Sequence, residues 1–103
     1  MRFLMKVRMP VEKGNAAIKD PDFGKKMEGM VQALKPEAAY FALDQGQRCG
    51  YFVVHVQDAS QLPGIAEPFF LSFNANIEFT PAMTPADLAK AGPDIGAAVK
   101  KYG

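Results

Sequence analysis

The stretch CGYFVVHVQ (Cys49–Gln57) decides the fold of this 103-residue chain and contains its single cysteine and its single histidine. Most of its side chains are apolar or aromatic, and they do not follow the three- and four-residue spacing of a helix. A continuous apolar run of this kind is typical of a buried strand. We therefore predict a strand at the centre of a sheet with both of its faces covered.

The residues before this strand predict a β-hairpin. The pattern of residues 37–44 (EAAYFALD) predicts a strand. QGQR at 45–48 follows it as a short connection that contains glycine. If the connecting loop has an even number of residues, Tyr40 and His55 share one face of the sheet while Phe52 lies on the other. A three-residue loop would break this pairing, so the assignment of faces depends on the register of the turn.

Two further strands and a first helical region follow from periodicity. Residues 2–9 alternate between apolar and mostly charged side chains, and residues 75–83 alternate again. Residues 12–20 predict a short or irregular helix at most, because Gly and Pro interrupt them. Apolar side chains at three- and four-residue steps predict a better helix between Asp22 and Pro36.

The second half of the chain predicts further helices. Residues 59–73 contain three helix-disfavouring residues, so we predict a broken helix whose second piece opens at Pro68. Residues 84–87 (TPAD) combine a capping Thr, a Pro at the first helical position and an acid, which indicates a helix start. A last helix is expected to carry Ile95 and Val99 on an inward-facing side, although the whole segment from residue 84 could instead contact a partner chain.

The order β-α-β-β-α-β-α predicts an α+β fold. We expect residues 1–103 to form a single ferredoxin-like βαββαβ sandwich, with a four-stranded antiparallel sheet in the order 4-1-3-2, helices on one face and additional C-terminal helices. The first and third strands are predicted to run parallel, which would bring Arg8 and His55 to the same end. The fourth strand, running the other way, would bring Glu78 near Lys6.

The sheet face that points away from the helices is predicted to mix apolar and charged side chains. Its members are Leu4, Lys6, Arg8, Tyr40, Asp44, Tyr51, Val53, His55, Asn76, Glu78 and Thr80. Such a face is too apolar to be left in water and too polar to be a plain core, so something should cover it. A second copy of the chain is the commonest cover, which predicts a two-fold homodimer.

The chain resembles a known group of proteins. The resemblance lies in the order of elements, in GYFVVHV (50–56) after a tight turn, in DASQLP (58–63) at a helix start and in EFTPAM (78–83) at the final strand. These features resemble dimeric α/β barrel proteins, muconolactone isomerase-like members among them. The resemblance implies a ferredoxin-like homodimer and, in many such families, a pocket between sheet and helices for a small organic compound, often aromatic or acidic. It supplies no catalytic residue.

His55 is the candidate catalytic residue, as a general base or acid near neutral pH, with Glu78 or Asp44 as its orienting carboxylate. This chemistry would suit isomerisation of a small organic ligand or reactions of a lactone. The candidate ligand-binding residues are the polar side chains around it: Lys6, Arg8, Tyr40, Tyr51 and Asn76. The alternative is that His55 has a structural role in a non-catalytic dimeric module, and the sequence leaves both interpretations open.

Composition argues against several other classes. Twelve Lys and Arg against eleven Asp and Glu give a net charge of +1, which predicts neither nucleic acid nor an anionic membrane as a partner. The adjacent aromatics Tyr51 and Phe52 point to opposite faces, unlike the base-stacking pair of an RNA-recognition strand. With one Cys and one His there is no metal-ligand spacing, and no cofactor is predicted. Cys49 is expected to be a small buried hydrophobe.

The N-terminal residues 1–8 (MRFLMKVR) carry charges at short intervals and so resemble neither a signal peptide nor a membrane span. Together with a lone cysteine, this predicts a cytoplasmic protein.

Overall fold

The computed structural model describes all residues from Met1 to Gly103. The elements are β1 (Arg2–Met9), α1 (Val11–Ile18), α2 (Phe23–Leu34), β2 (Ala38–Asp44), β3 (Gln47–His55), a 3₁₀ turn (Ala59–Gln61), α3 (Leu62–Phe73), β4 (Asn76–Pro81), α4 (Pro85–Lys90) and α5 (Gly92–Tyr102). They form a mixed α+β structure around one open sheet, as predicted.

The sheet has four strands in the order β2-β3-β1-β4, which confirms the predicted arrangement. The prediction that the first and third strands run parallel is wrong. β1 pairs with β3 antiparallel, with Arg2 opposite His55 and Arg8 opposite Cys49. The helical crossover returns the chain to the direction of β1 for β2, and the hairpin then reverses it for β3. Arg8 and His55 therefore lie at opposite ends of the sheet.

The β2–β3 connection is a two-residue turn, so the condition on which the faces depend is met. Asp44 pairs with Gln47, and the turn residues Gln45 and Gly46 have φ angles of 52° and 74°. Positive φ at both positions is the geometry of a type I′ hairpin turn, which matches the twist of the flanking strands. Tyr40 then lies opposite Tyr51 on the same face of the sheet.

The core lies between the sheet and helices α1 to α3. Its buried side chains are Met5, Val7, Met9, Phe52, Val54, Val56, Phe69, Phe73 and Ala75. Every helix that packs on the sheet lies on this side. The prediction that both faces of β3 are covered is therefore wrong within one chain. On the other side Tyr51 and Val53 are half-buried and His55 is exposed.

Helix α3 is continuous through Pro68, so the predicted break at that residue is wrong. The interruption comes earlier, at the 3₁₀ turn that precedes Leu62. Pro68 lies on the exposed side of α3, while Ala66, Phe69 and Phe73 are buried. Burial of that apolar side holds the helix together despite the hydrogen bond that a proline cannot donate.

The C-terminal residues form an arm that projects from the rest of the chain. The predicted start of α4 is confirmed, because Thr84 Oγ1 accepts from the Asp87 N–H at 3.1 Å and Asp87 accepts from the Thr84 N–H at 3.0 Å. Every residue of α5 is exposed, including Ile95 and Val99 at 52% and 61%, so their predicted inward orientation is wrong within one chain. The radius of gyration is 17.4 Å, against about 13 Å for a compact chain of this length.

Candidate functional site

The face of the sheet opposite the helices carries a network of ion pairs, and we call it the charged face. Lys6 Nζ lies 3.0 Å from Asp44 Oδ2 and 3.6 Å from Glu78 Oε2. Arg8 contacts the same two carboxylates, through Nε at 2.9 Å and Nη2 at 3.2 Å. The strand register explains the cluster, since Lys6 lies directly opposite Glu78 as the sequence predicts. Two cations and two carboxylates from three strands thus form one compact group.

This arrangement favours the charged forms of Lys6 and Asp44. The hydrogen bond from Lys6 is the main cause that lowers the pKa of Asp44, and the same bond raises the pKa of Lys6. Each cation already has two carboxylate partners. A ligand carboxylate would therefore have to compete with Asp44 and Glu78 for Lys6 and Arg8.

A second group of charges lies at the other end of the charged face, around His55. His55 Nε2 is 3.0 Å from Glu37 Oε1, and the same oxygen accepts from Arg2 Nη2 at 2.8 Å. Hydrogen bonds from Arg2 first and from His55 second lower the pKa of Glu37. Arg2 also reaches Asp87 at 3.4 Å, which ties α4 to this end of the sheet.

The structure therefore separates the predicted site residues into two groups. Glu78 belongs with Lys6 and Arg8, and the carboxylate beside His55 is Glu37. Glu37 escapes prediction because alternation along residues 37–44 places it with Phe41, on the face away from His55. In the structure β2 begins at Ala38, so Glu37 lies outside the alternating strand. It donates its N–H to the Val53 carbonyl, and the hairpin register brings it beside the end of β3 that carries His55.

The remaining predicted ligand-binding residues lie on the same face. Tyr51 Oη is 3.5 Å from Asp44 Oδ1, and Lys6 Nζ lies 6.0 Å from the centroid of the Tyr51 ring. Tyr40 is 71% exposed on the edge strand β2, and Asn76 lies opposite Arg8. The charged face thus combines two tyrosine rings with paired charges and leaves the ring of Tyr40 mostly exposed.

Cys49 is a free, buried cysteine, as predicted. Burial raises the pKa of its thiol, so the reactive thiolate is disfavoured. No group of three or more His, Cys, Asp or Glu side chains is arranged to hold a metal ion.

An apolar cavity of about 250 Å³ lies on the other side of the sheet, beneath the helices. Val7 and Phe52 contribute from the sheet, Met27 from α2 and Phe69 from α3. Arg48 is the one charged residue in its lining. None of the candidate residues predicted from the sequence lines this cavity, which lies on the opposite face from His55.

Fold and site together define a small α+β protein with a charged, uncovered sheet face and an apolar cavity beneath its helices. Residues 1–96 match the family described as Domain of unknown function (DUF3303), and the chain belongs to that family. No curated protein gives a significant match to the chain. None of its helices is both long and apolar enough to cross a membrane.

Proposed function

We propose that the protein works as a homodimeric module in which a second copy covers the charged face. One observation carries the proposal: Lys6, Arg8, Asp44 and Glu78 are paired within the chain, while the Tyr40 side chain beside them stays open to water. Covering such a face removes apolar surface from water and leaves no charge without a partner. The expected assembly is a dimeric α/β barrel, as in the muconolactone isomerase-like proteins that the sequence resembles.

The exposed arm supports the same assembly. Ile95, Val99 and Tyr102 recur along α5 at four- and three-residue steps, which gives a helix with an apolar stripe and no cover from its own chain. The contact between Arg2 and Asp87 holds the beginning of the arm at the edge of the charged face. A second copy that covers this face would lie beside the arm. A four-stranded face of this length offers roughly 400 Å² in projection. A standard interface buries about 800 Å² per partner, so the arm would supply much of the rest.

Neighbouring residues of β2 provide a matched test of this interface. Tyr40 and Phe41 are 71% and 66% exposed and point to opposite faces. We expect light scattering to give twice the 11.2 kDa chain mass for the wild type. Tyr40→Glu should shift the protein to monomer, because it introduces an unpaired charge into the interface, and Phe41→Glu should leave the dimer intact. A monomeric wild type, or the opposite response of the two variants, would refute the interface.

A second candidate function is acid–base chemistry at His55 on a small aromatic or acidic organic ligand. The chain of contacts from Arg2 through Glu37 to His55 favours it, because a carboxylate fixes the Nε2–H of a neutral imidazole and leaves Nδ1 able to accept a proton. In the proposed homodimer, Arg2, Glu37 and His55 would lie at the end of the covered face. The reaction would be a proton transfer of the isomerase type.

This chemistry can be tested without knowledge of the natural substrate. Small aromatic and hydroxy acids are incubated with the protein in D₂O, and exchange of their carbon-bound protons is followed by NMR. Exchange that depends on His55 should vanish in His55→Ala, fall in Glu37→Gln and persist in Glu78→Gln, because Glu78 lies with Lys6 and Arg8. Exchange that survives in His55→Ala would exclude His55 as the base.

A further inference from the structure

One level of the charged face crosses all four strands, and we call its residues Tyr40, Tyr51, Lys6 and Glu78 the mixed row. The strand register places Tyr40 of β2 opposite Tyr51 of β3, and it places Lys6 of β1 opposite both Tyr51 and Glu78. The row therefore has an aromatic half on β2 and β3 and an ionic half on β1 and β4. The two halves are complementary, because an ammonium group can lie over a tyrosine ring and a carboxylate can accept from a tyrosine hydroxyl.

Most of this complementarity is unused within one chain. Lys6 Nζ approaches the centroid of the Tyr51 ring only to 6.0 Å, and Tyr40 is 71% exposed. Tyr40 and Glu78 lie on the two edge strands, so three strand spacings separate them by about 14 Å and they cannot contact each other. The Glu78 carboxylate accepts from Arg8 at 3.2 Å, and its side chain is 55% exposed, which leaves it able to accept from a further donor.

Two-fold symmetry allows a second copy to cover this face in two orientations that keep the strands of the two sheets aligned. An axis across the strands places each strand on the same strand of the partner. An axis along the strands exchanges the edges, so that β2 lies on β4 of the partner and β3 lies on β1. Because the strand order is β2-β3-β1-β4, the two orientations bring different side chains together.

The charges of β1 decide between the two axes. β1 presents Arg2, Lys6 and Arg8 to the charged face, and Leu4 is its one uncharged residue there. An axis across the strands would lay β1 on the partner's β1 and bring these cations against one another, which weakens an interface. An axis along the strands lays β1 on the partner's β3 and avoids this repulsion.

The neighbouring level of the face fits the same axis. It consists of Ala38, Val53, Leu4 and Thr80, none of them charged. Leu4 is 38% exposed and Val53 is half-buried within the chain. Exchange of the edges brings Leu4 onto the partner's Val53 beside the axis, so two apolar side chains cover each other twice in the dimer.

We propose that the two copies meet with their two-fold axis along the strands, so that each tyrosine of the mixed row contacts an ionic residue of the partner. Tyr40 donates its hydroxyl to the partner's Glu78, and the Tyr51 ring lies against the ammonium group of the partner's Lys6. This inference rests on the proposed homodimer and adds which residues of the two copies meet.

The test reverses charges at Tyr40 and Glu78, which only a second copy can bring together. Sedimentation equilibrium of the full-length variants gives the dissociation constant of the dimer. In Tyr40→Glu we expect this constant to rise about 100-fold or more, because each dimer then contains two contacts between carboxylates. Tyr40→Lys should stay within about 10-fold of the wild type, since a lysine can pair with the partner's Glu78. Tyr40→Glu combined with Glu78→Lys should also return to within about 10-fold.

Matched variants control for net charge and for folding. Glu67→Lys makes the same change of charge at an exposed residue of α3, on the helix side of the sheet, and should not restore Tyr40→Glu. A melting temperature establishes that each variant is folded. Glu78→Gln removes the repulsion without adding a cation beside Lys6 and Arg8, so it should restore Tyr40→Glu in part even where Glu78→Lys unfolds the chain.

The outcomes separate this pairing from the homodimer itself. A monomeric wild type, or a Tyr40→Glu variant that dimerises normally, would overturn both. Dissociation of Tyr40→Glu that neither Glu78 variant reverses, or that Glu67→Lys reverses equally well, would overturn the pairing alone. So would dissociation of Tyr40→Glu and of Tyr40→Lys with recovery when the two are mixed, because that result requires β2 to lie on the partner's β2.

Discussion

The two faces of the sheet consist of alternate residues of the same four strands, but they differ in which side chains lack a partner within the chain. The charged face pairs its ionic groups, such as Lys6 with Asp44, and leaves a tyrosine ring in water. The apolar face buries Phe52 and Val54 but leaves one cation, Arg48, without a carboxylate. The comparison teaches that paired charges do not by themselves cover a face, since the helices cover only the apolar one. A second copy of the chain suits the charged face.

The largest expected effect separates neighbours on opposite faces. Phe52 is 1% exposed, and its ring packs near those of Phe41 and Phe69. Phe52→Ala should lower the free energy of unfolding by about 3–5 kcal/mol because it leaves a cavity in the core. Tyr51→Ala, one residue away on the charged face, should cost clearly less. Chemical denaturation measures both, and equal losses would contradict the difference in burial between the two faces.

The next effect concerns stability in acid, to which the carboxylates of the charged face contribute. The pKa values of Asp44 and Glu37 lie below their ordinary 3.8 and 4.5, so their stabilisation is present above those values and is lost as pH falls through the lowered pKa. The pKa of Lys6 lies above its ordinary 10.5, so its share is lost only as pH rises beyond that value. The free energy of unfolding should therefore be flat near neutrality and fall below about pH 4.

Matched carboxylate variants identify the source of this acid loss. Asp44→Asn should reduce stability near neutrality and flatten the fall towards low pH, since the group that titrates is gone. Asp94→Asn removes an exposed carboxylate that makes no ion pair and should leave the pH profile unchanged. Urea titrations at several pH values measure this, and a profile of Asp44→Asn that parallels the wild type would exclude Asp44 as a contributor to the acid loss.

The smallest effect tests the turn that determines which residues share a face. Gly46 has a φ of 74°, a conformation that costs an alanine about 1 kcal/mol or more. Gly46→Ala should therefore destabilise the protein. Gly29→Ala, inside α2 with open space around it, should stabilise by about 0.5–1 kcal/mol because it removes glycine flexibility from a helix. Thermal unfolding gives both signs, and stabilisation by Gly46→Ala would contradict the left-handed turn.

Much of the fold could be predicted from the sequence, because period-two alternation and a glycine turn determine strands, register and faces. The identity of the partner to His55 could not, because alternation along residues 37–44 places Glu37 on the other face, whereas Glu37 lies just before β2 and is free of that alternation. The apolar pattern of α5 predicts a covered side but cannot tell which chain covers it. Likewise, alternation predicts that Phe41 is a core residue. It is 66% exposed beside the cavity because β2 is an edge strand.

The separation of the two faces is tested most directly by methyl NMR of the wild-type protein and of Tyr40→Glu. Leu4 and Thr80 lie opposite each other on the charged face, away from β2, and Val7 and Ile18 lie on the helix side of the sheet. We predict that the methyl signals of Leu4 and Thr80 differ between the dimeric wild type and the monomeric variant, while those of Val7 and Ile18 stay in place. Shifts of Val7 and Ile18 without those of Leu4 and Thr80 would put the interface on the helix side and contradict the assignment of roles.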